Sequence, residues 1–252
     1  MLQSGSMNQP STDMPHIGKR WNVYFIEFFL IFLAVTLGFL AESIREKMGD
    51  EEKELEFIHS MIEDARMDSV HISACLEANR RRVNALDTLS RLLTAPQLQE
   101  TPDSEIYRLF TFGIYHPDFI TPVERTMTQL KFAGGMRLLR KKSAAEAIVQ
   151  YDDMAKNLID QQAFYELYQN SAIEQSVKLF NYNDFVFNAA KNGEGISKNV
   201  RLLNHEPLTL IEFGNRVKLY MGIVRFYNVR LAEMQQQSSN LIKTLKGEYE
   251  ID

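Results

Sequence analysis

The sequence has little of the residues that define several common classes of protein. It contains a single cysteine, which excludes a disulfide within the chain and any zinc or iron–sulfur site with several thiolate ligands. Its 12 glycines and 7 prolines are below average usage, which argues against collagen-like, low-complexity and turn-rich all-β chains. The formal net charge of −5 gives no electrostatic reason to expect nucleic acid as a partner.

What the chain does contain is an ordinary globular balance of side chains. Apolar residues make up 45% and charged residues 24% of its 252 residues, which excludes bulk disorder and predicts one or two domains. The sequence has no nucleophile elbow, HExxH motif, P-loop or GxGxxG loop. We therefore expect a protein that is not an enzyme and that has no metal or other cofactor.

The clearest local signal lies near the N-terminus. Residues 1–20 are mostly small and polar and are predicted to form a disordered tail. Residues 21–41 are then mostly apolar, and as a helix they would measure about 31 Å at 1.5 Å per residue, close to the thickness of a bilayer core. Lys19, Arg20 and Trp21 are typical membrane-flanking residues at the leading end. The pattern predicts a transmembrane helix over 21–41.

Glu27 interrupts this apolar segment. The run that follows it, Phe28 to Ala41, has a length that also suits a buried soluble helix or a signal-peptide core. The Leu, Ile, Phe and Val residues between Val23 and Leu40 contribute about −4 to −8 kcal/mol to insertion, whereas one acidic residue costs about 2.5–3.5 kcal/mol at the membrane centre. Insertion is therefore favoured. Because Glu42 and Arg45 follow without a clear small-x-small cleavage site, we expect an uncleaved signal anchor.

The flanking charges give only a weak indication of orientation. Two basic residues, Lys19 and Arg20, precede the segment, and three follow within a strongly acidic stretch, Arg45, Lys47 and Lys53. The first pair lies directly at the membrane edge, and a long domain can be translocated largely regardless of its charge. We expect a single-pass membrane protein whose N-terminus lies in the cytoplasm and whose main domain lies outside it.

Residues 42–252 are predicted to form a helical domain. One heptad seam follows the first long helix, which should end at Thr94–Pro96, and it extends backwards through Ala34 and Leu30 to Glu27. The seam contains Leu37, Ala41, Ile44, Met48, Glu51, Leu55, Ile58, Ile62, Ala65, Ser69, Ile72, Leu76, Asn79, Val83, Leu86, Ser90 and Leu93.

Four further helices are predicted from capping and stop signals. Short helices should begin after Thr101 and at the capping box Thr121–Glu124, and end near Gly113 and Gly134. A long helix should run from the capping box Ser143–Glu146 to about Ala190, followed by a polar loop over 192–206. The last helix should begin near Pro207, and its seam is Leu210, Phe213, Val217, Tyr220, Val224, Tyr227, Leu231, Met234, Ser238, Leu241 and Leu245.

These elements define the expected fold class. No alternating strand pattern is present, and three long and two short amphipathic helices can bury their apolar faces only against one another. We expect an all-α protein in which one N-terminal transmembrane helix is followed by an antiparallel helical bundle.

Two stretches carry a resemblance to a known family. The segment KRWNVYFIEFFLIFLAVTLGFLAESIREK is similar to the opening of an uncharacterised family of bacterial single-span membrane proteins, and TMTQLKFAGGMRLLRKK resembles that family's "QLK-small-G-x-x-R-L-I" segment. The C-terminal LIKTLKGEYE also fits this family. The resemblance implies a membrane anchor with a helical domain of unknown function, and it implies no activity. With the expected orientation, a bacterial protein of this kind would lie in the inner membrane with its main domain in the periplasm.

Within the predicted transmembrane helix, Glu27 has three interpretations. It can contact another helix as a structural polar group, it can line an ion or proton path in an oligomer, or it can lie close enough to the headgroups to be tolerated. Ala34 and Gly38, four residues apart, would let a second helix approach closely. Both features favour a partner helix, supplied by a second copy or by another membrane subunit in the lipid bilayer.

Other candidate groups are weaker. Asp64, Asp68, His71 and Cys75 share one helical face and include types that bind soft metals, although a polar flank with a half-buried cysteine is the preferred interpretation. The basic runs at 80–82 and 137–142 suit phosphates or lipid headgroups but equally a solvated helix face. Aromatic residues in the second long helix could line a ligand cavity, but core packing is preferred. They are Phe164, Tyr165, Tyr168, Phe180, Tyr182, Phe185 and Phe187.

The sequence therefore predicts a protein that acts by binding. The preferred function is that of a membrane-anchored scaffold or subunit of a membrane or envelope complex. A membrane-anchored ligand-binding or sensor domain and an ion-conducting oligomer that uses Glu27 remain the alternatives.

Overall fold

The computed structural model describes residues 18–95, 98, 100–115, 117–132, 134–188, 193–196 and 199–251. The chain divides into two compact units, residues 1–52 and residues 53–252. This division falls within the segment that sequence analysis assigned to the helical domain. Most of the predicted tail, residues 1–17, lies outside the described residues.

Helix α1 comprises Gly18–Leu92 and contributes to both units. It begins three residues before Trp21, so residues 18–20, which the sequence assigned to the tail, are helical. It ends at Leu92, and a turn over 93–95 follows. The predicted end of the first long helix is therefore confirmed.

The described residues of the second unit form four more helices and a small hairpin. Helix α2 (Asp103–Phe110) leads into a π-helical turn, Thr111–Tyr115, and α3 (Arg125–Phe132) precedes a 3₁₀ turn, Gly135–Arg137. Strand β1 (Phe185–Asn188) pairs antiparallel with β2 (Gly193–Ile196), with Phe185 opposite Ile196 and Asn188 opposite Gly193. The remaining elements are α4 (Lys142–Ser176), a 3₁₀ turn (Tyr182–Asp184), β1 (Phe185–Asn188), β2 (Gly193–Ile196) and α5 (Pro207–Tyr249). The all-α class is confirmed, with this hairpin as the unpredicted addition.

Helix α4 ends at Ser176, well before the predicted end at Ala190, which itself lies outside the described residues. The carbonyl of Ser176 accepts hydrogen bonds from the amides of Leu179 and Phe180, both at 2.9 Å, which closes a turn. Phe180 is thereby buried against Phe110, with ring centroids 4.2 Å apart. Aromatic packing between distant segments has overridden the helical pattern of this stretch.

Neither predicted capping box forms. Helix α3 begins at Arg125 instead of Pro122, and the amide of Thr126 is bound by a carboxylate of α1. Helix α4 begins at Lys142, and the Ser143 hydroxyl donates to Glu248 of α5 at 2.5 Å. At α3 a carboxylate of another helix replaces the local cap, whereas at α4 the Ser143 hydroxyl bonds to another helix instead of capping its own.

The core of the second unit follows the predicted seams closely in α5 and in part in α1. Every residue of the predicted α5 seam is buried. On α1 the seam is mainly buried from Ile58 onward, whereas Leu37, Ile44, Met48 and Leu55 are 42–65% exposed. The seam therefore marks an apolar face along α1, but the chain itself covers that face only from Ile58.

The burial pattern on α1 predicts where truncation is costly. Ile72 is fully buried, whereas Val70, two residues earlier, is 68% exposed. Ile72→Ala should lower the free energy of unfolding by about 2–5 kcal/mol because it leaves a cavity. Val70→Ala, the matched control, should change it by less than about 0.5 kcal/mol. Chemical denaturation followed by circular dichroism measures both, and equal effects would contradict the assigned face.

Candidate functional site

The first unit presents an apolar surface that its own chain leaves uncovered. The large apolar side chains between Trp21 and Leu40 are 40–75% exposed. By length and composition this part of α1 is sufficient to cross a membrane. An 18-residue window within it has no buried residue. Exposed apolar surface of this extent marks a site of interaction with lipid or protein.

The predicted interface residues lie on one side of this segment. Glu27, Ala34 and Gly38 are spaced by seven and four residues, which places them within about 40° around an α-helix. All three are exposed, and a methyl group added at Gly38 would meet no atom within 4 Å. Trp21 is 75% exposed at the beginning of the segment. The backbone of Lys19 and Arg20 belongs to α1, but their side chains lie outside the described part of the chain.

The second unit contains a different set of polar residues, which we call the polar ladder. It consists of five side chains of α1 that are at most 3% exposed. Their spacing of ten, four, eleven and three residues places them on one stripe of the helix. The members of the ladder are Glu54, Asp64, Asp68, Asn79 and Arg82.

Most of the ladder lies against a segment without regular secondary structure, residues 117–124, which we call the strap. Asp68 Oδ1 accepts the Val123 amide at 3.0 Å, and its other oxygen accepts the Tyr151 hydroxyl of α4. Asp64 Oδ2 accepts the Thr126 amide at 3.1 Å, just beyond the strap, and Asp64 Oδ1 accepts Arg125 Nη2 at 2.7 Å. The two carboxylates therefore bind backbone that no regular helix or strand satisfies.

The other end of the strap is held by a cation and a thiol. Arg82 donates from Nη2 to Asp118 Oδ2 at 2.8 Å and from Nη1 to Asn79 Oδ1 at 2.5 Å. The Cys75 thiol donates to the Asp118 carbonyl at 2.9 Å. Burial, together with the nearby Asp118 carboxylate, raises the pKa of Cys75 to about 12. The thiol therefore stays protonated at neutral pH, where it acts as a donor and not as a nucleophile.

Glu54 binds a second irregular segment. Its carboxylate accepts the Arg140 amide and Arg140 Nε, each at 2.7 Å, and the Tyr249 hydroxyl at 2.5 Å. Burial opposes the ionisation of Glu54, but these donors from Tyr249 and Arg140 outweigh it and lower the pKa of the carboxyl group. Glu54 thus joins the backbone before α4 to the last turn of α5.

Helix α4 adds two amide donors to the same irregular region. Gln162 Nε2 donates to the Ile120 carbonyl at 2.7 Å, and Gln169 Nε2 donates to the Ile114 carbonyl at 2.5 Å. Phe119 of the strap packs on Tyr165, which lies between the two glutamines on α4, with ring centroids 4.8 Å apart. Side chains from α1 and α4 therefore supply hydrogen bonds that a neighbouring strand would otherwise supply.

The metal hypothesis for Asp64, Asp68, His71 and Cys75 gains no support from this arrangement. The two aspartates and the cysteine are buried and bonded to the strap region, whereas His71 is exposed. The preferred interpretation of a polar flank is wrong for Asp64 and Asp68, which are fully buried. Their spacing from buried Met61, by three and seven residues, is the signal that would have revealed a second buried stripe.

The basic and aromatic candidates divide between surface and core. Arg80 and Arg81 are exposed and pair with Glu77, whereas Arg82 is buried in the ladder. Tyr165 is buried, but Phe164 is 55% exposed. Phe164 and Tyr168 line an apolar groove of about 260 Å³, and a polar cleft of about 570 Å³ lies elsewhere on the second unit. The groove is lined by Gln161, Phe164, Tyr168, Ile223, Phe226 and Tyr227.

Comparisons with known proteins add no relative. No family model matches the chain, and neither a curated protein nor a solved structure is significantly similar to it.

The bonding of Glu54 predicts a pH-dependent stability. Because its pKa is lowered in the folded protein, the stability it contributes is present above the ordinary pKa of glutamate and is lost as the pH falls through the lowered value. Glu54→Gln should therefore reduce the free energy of unfolding by about 1–3 kcal/mol at neutral pH, and by less in acid.

Glu56→Gln is the control, since Glu56 is exposed two residues further along α1. Thermal unfolding of wild type and both variants across the acidic range measures the difference. A deficit of Glu54→Gln that grows on acidification would contradict the assigned pKa direction.

Proposed function

We propose that this protein is a non-enzymatic, membrane-anchored helical protein that acts as a scaffold or subunit of a membrane or envelope complex. The observation that carries the proposal is the exposed apolar segment of α1 between Trp21 and Leu40. A soluble protein gains nothing from leaving such a segment in water, whereas a bilayer stabilises it by burying its side chains.

The proposed placement is a single uncleaved span in a bacterial inner membrane. Lys19 and Arg20 would remain on the cytoplasmic side, with Trp21 at the interface, and residues 53–252 would lie in the periplasm. The resemblance of the N-terminal stretch to bacterial single-span membrane proteins agrees with this placement.

For the second unit we propose an antiparallel bundle. Between α4 and α5, Ser143 bonds to Glu248, and Ser171 accepts a hydrogen bond from Arg216 at 3.0 Å. Residue numbers therefore increase along one helix as they decrease along the other. Pairs between α1 and α5 follow the same order. They join Glu54 to Tyr249 and Ser69 to Ser238.

The proposed partner of the span is another span, from a second copy or from a different subunit. A carboxylate is costly in lipid, so Glu27 is better accommodated against a polar group of a neighbouring helix. Gly38 and Ala34 on the same side would allow the two backbones to approach closely. An ion-conducting oligomer would use the same face, with Glu27 lining the path.

One observation favours a ligand-binding domain as the second candidate function. The polar cleft of about 570 Å³ lies among Thr101, Asp103, Ser104, Arg201 and His205. Asp103 already accepts the Leu202 amide at 2.9 Å, so part of its capacity serves the fold. Binding of a small ligand here would make the domain a sensor that signals through a partner.

The anchor proposal predicts membrane retention and a defined orientation. The native cysteine is buried, so a cysteine introduced at the exposed position Lys243 provides a specific label site. An impermeant maleimide should label Lys243→Cys in intact spheroplasts, and carbonate washing should leave the protein in the membrane. Labelling only after lysis would reverse the orientation, and release by carbonate would contradict the anchor.

The interface proposal predicts position-specific effects on association. Gly38→Leu should weaken crosslinking between spans because it separates the backbones, whereas Thr36→Leu, on the opposite side of the helix, should not. Glu27→Gln should retain most of the association, because an amide still forms a hydrogen bond across the interface. Glu27→Leu should reduce it without affecting insertion.

Crosslinking in native membranes is the measurement for all four variants. Equal association of Gly38→Leu and wild type, or an uncrosslinked wild type, would contradict the proposed interface. Ion conduction by wild type that Glu27→Gln abolishes, with association intact, would favour the ion-conducting alternative.

A further inference from the structure

Asp68 differs from the other two carboxylates of the polar ladder in what neutralises it. Glu54 is paired with Arg140, and Asp64 with Arg125, at 2.7 Å in each case. Asp68 is equally buried, but its two contacts are the neutral Val123 amide and the neutral Tyr151 hydroxyl. Within the described part of the chain, no lysine or arginine forms an ion pair with it.

The groups around Asp68 come from four segments. On α1, Asp64 lies one turn before it and His71 three residues after it. The strap contributes the Val123 amide, and α4 contributes Tyr151. On α5, Ser238 lies beside Tyr151 and donates to the Ala65 carbonyl at 2.6 Å.

These surroundings disfavour the charged form. Burial is the largest effect and raises the pKa of Asp68, and the negative charge of Asp64 acts in the same direction. The hydrogen bonds from Tyr151 and Val123, together with His71, lower the pKa but do not offset the burial.

We propose that Asp68 is a proton-linked latch, in which the neutral acid holds the strap more tightly than the carboxylate does. The acid keeps both contacts, because its carbonyl oxygen accepts the Val123 amide and its hydroxyl donates to the Tyr151 oxygen. It does so without burying a charge. When the strap is released, Asp68 meets water and regains an ordinary pKa, so release is coupled to loss of a proton.

The direction of the pH dependence follows from this coupling. The attachment of the strap is strongest below the ordinary pKa of aspartate and weakens as the pH rises through the raised value. This is opposite to the contribution of Glu54. The latch does not depend on the proposed membrane anchor, because all its parts belong to the second unit.

Hydrogen–deuterium exchange of the full chain in detergent tests the latch. Protection of the strap amides, corrected for the intrinsic exchange rate, is measured from about pH 8 to about pH 5, a range that includes raised carboxylate pKa values. In wild type, protection should increase on acidification, by at most about tenfold per pH unit. Asp68→Asn should remove this pH dependence. Asp64→Asn should weaken protection at each pH but retain the pH dependence.

Tyr151→Phe distinguishes a latch from a merely structural contact. It removes a donor that stabilises the carboxylate, so the midpoint of the protection change should move to higher pH. A structural role alone would lower protection at every pH and leave the midpoint in place. Wild-type protection that is flat or falls on acidification, or a pH dependence that persists in Asp68→Asn, would overturn the proposal. If Asp68→Asn does not fold, the Tyr151→Phe midpoint decides.

Discussion

The second unit depends on buried side chains of α1 that bind backbone outside regular secondary structure. Between α2 and α4 the chain runs through two irregular segments whose amides need partners, because a buried amide without one is costly. Asp68 and Glu54 supply those partners to Val123 and Arg140, and Asp64 binds the Thr126 amide in the first turn of α3. These contacts place the strap, and the strap in turn places Phe119 against Tyr165 and Ile120 in the core.

The ladder also explains why α1 is polar along a face that is nevertheless buried. A stripe of carboxylates would be expelled from an ordinary helical core, since desolvation of each charge is unfavourable. Here two of the three gain an arginine and backbone amides in exchange. The fold thus uses charged residues to specify where a non-helical segment lies, and apolar seams to hold the long helices.

Much of this fold can be predicted from local sequence patterns. The rest cannot, and the physical reasons can be identified. The start of α5 at Pro207 and its buried seam follow from a proline at the first turn and from strict helical spacing. The predicted end of α4 was wrong because Phe180 and Phe185 continue the apolar pattern of the helix in sequence. In the structure they lie beyond the helix and pack on Tyr107 and Phe110. A pattern of apolar residues does not indicate which residues they pack against.

The predicted capping box of α3 was wrong for the same reason. Asp64, which is 62 residues away in the sequence, accepts the Thr126 amide in place of a local cap. The candidate interface was partly readable: the spacing of Glu27, Ala34 and Gly38 fixes a shared side of any helix. The sequence pattern does not predict what covers that side. A seam of constant period is buried at Ile62 and exposed at Ile44, because period reports an apolar face and not its occupant.

The central functional claim is that the exposed segment of α1 inserts in a membrane and contacts another span there. The most direct measurement is the mass of the protein after extraction from its own membrane in a mild detergent, with identification of every chain that co-purifies. The account predicts recovery from the membrane fraction with a protein mass above that of one 29.2 kDa chain, as a homo-oligomer or with a partner subunit. A single chain alone, or recovery from the soluble fraction, would contradict it.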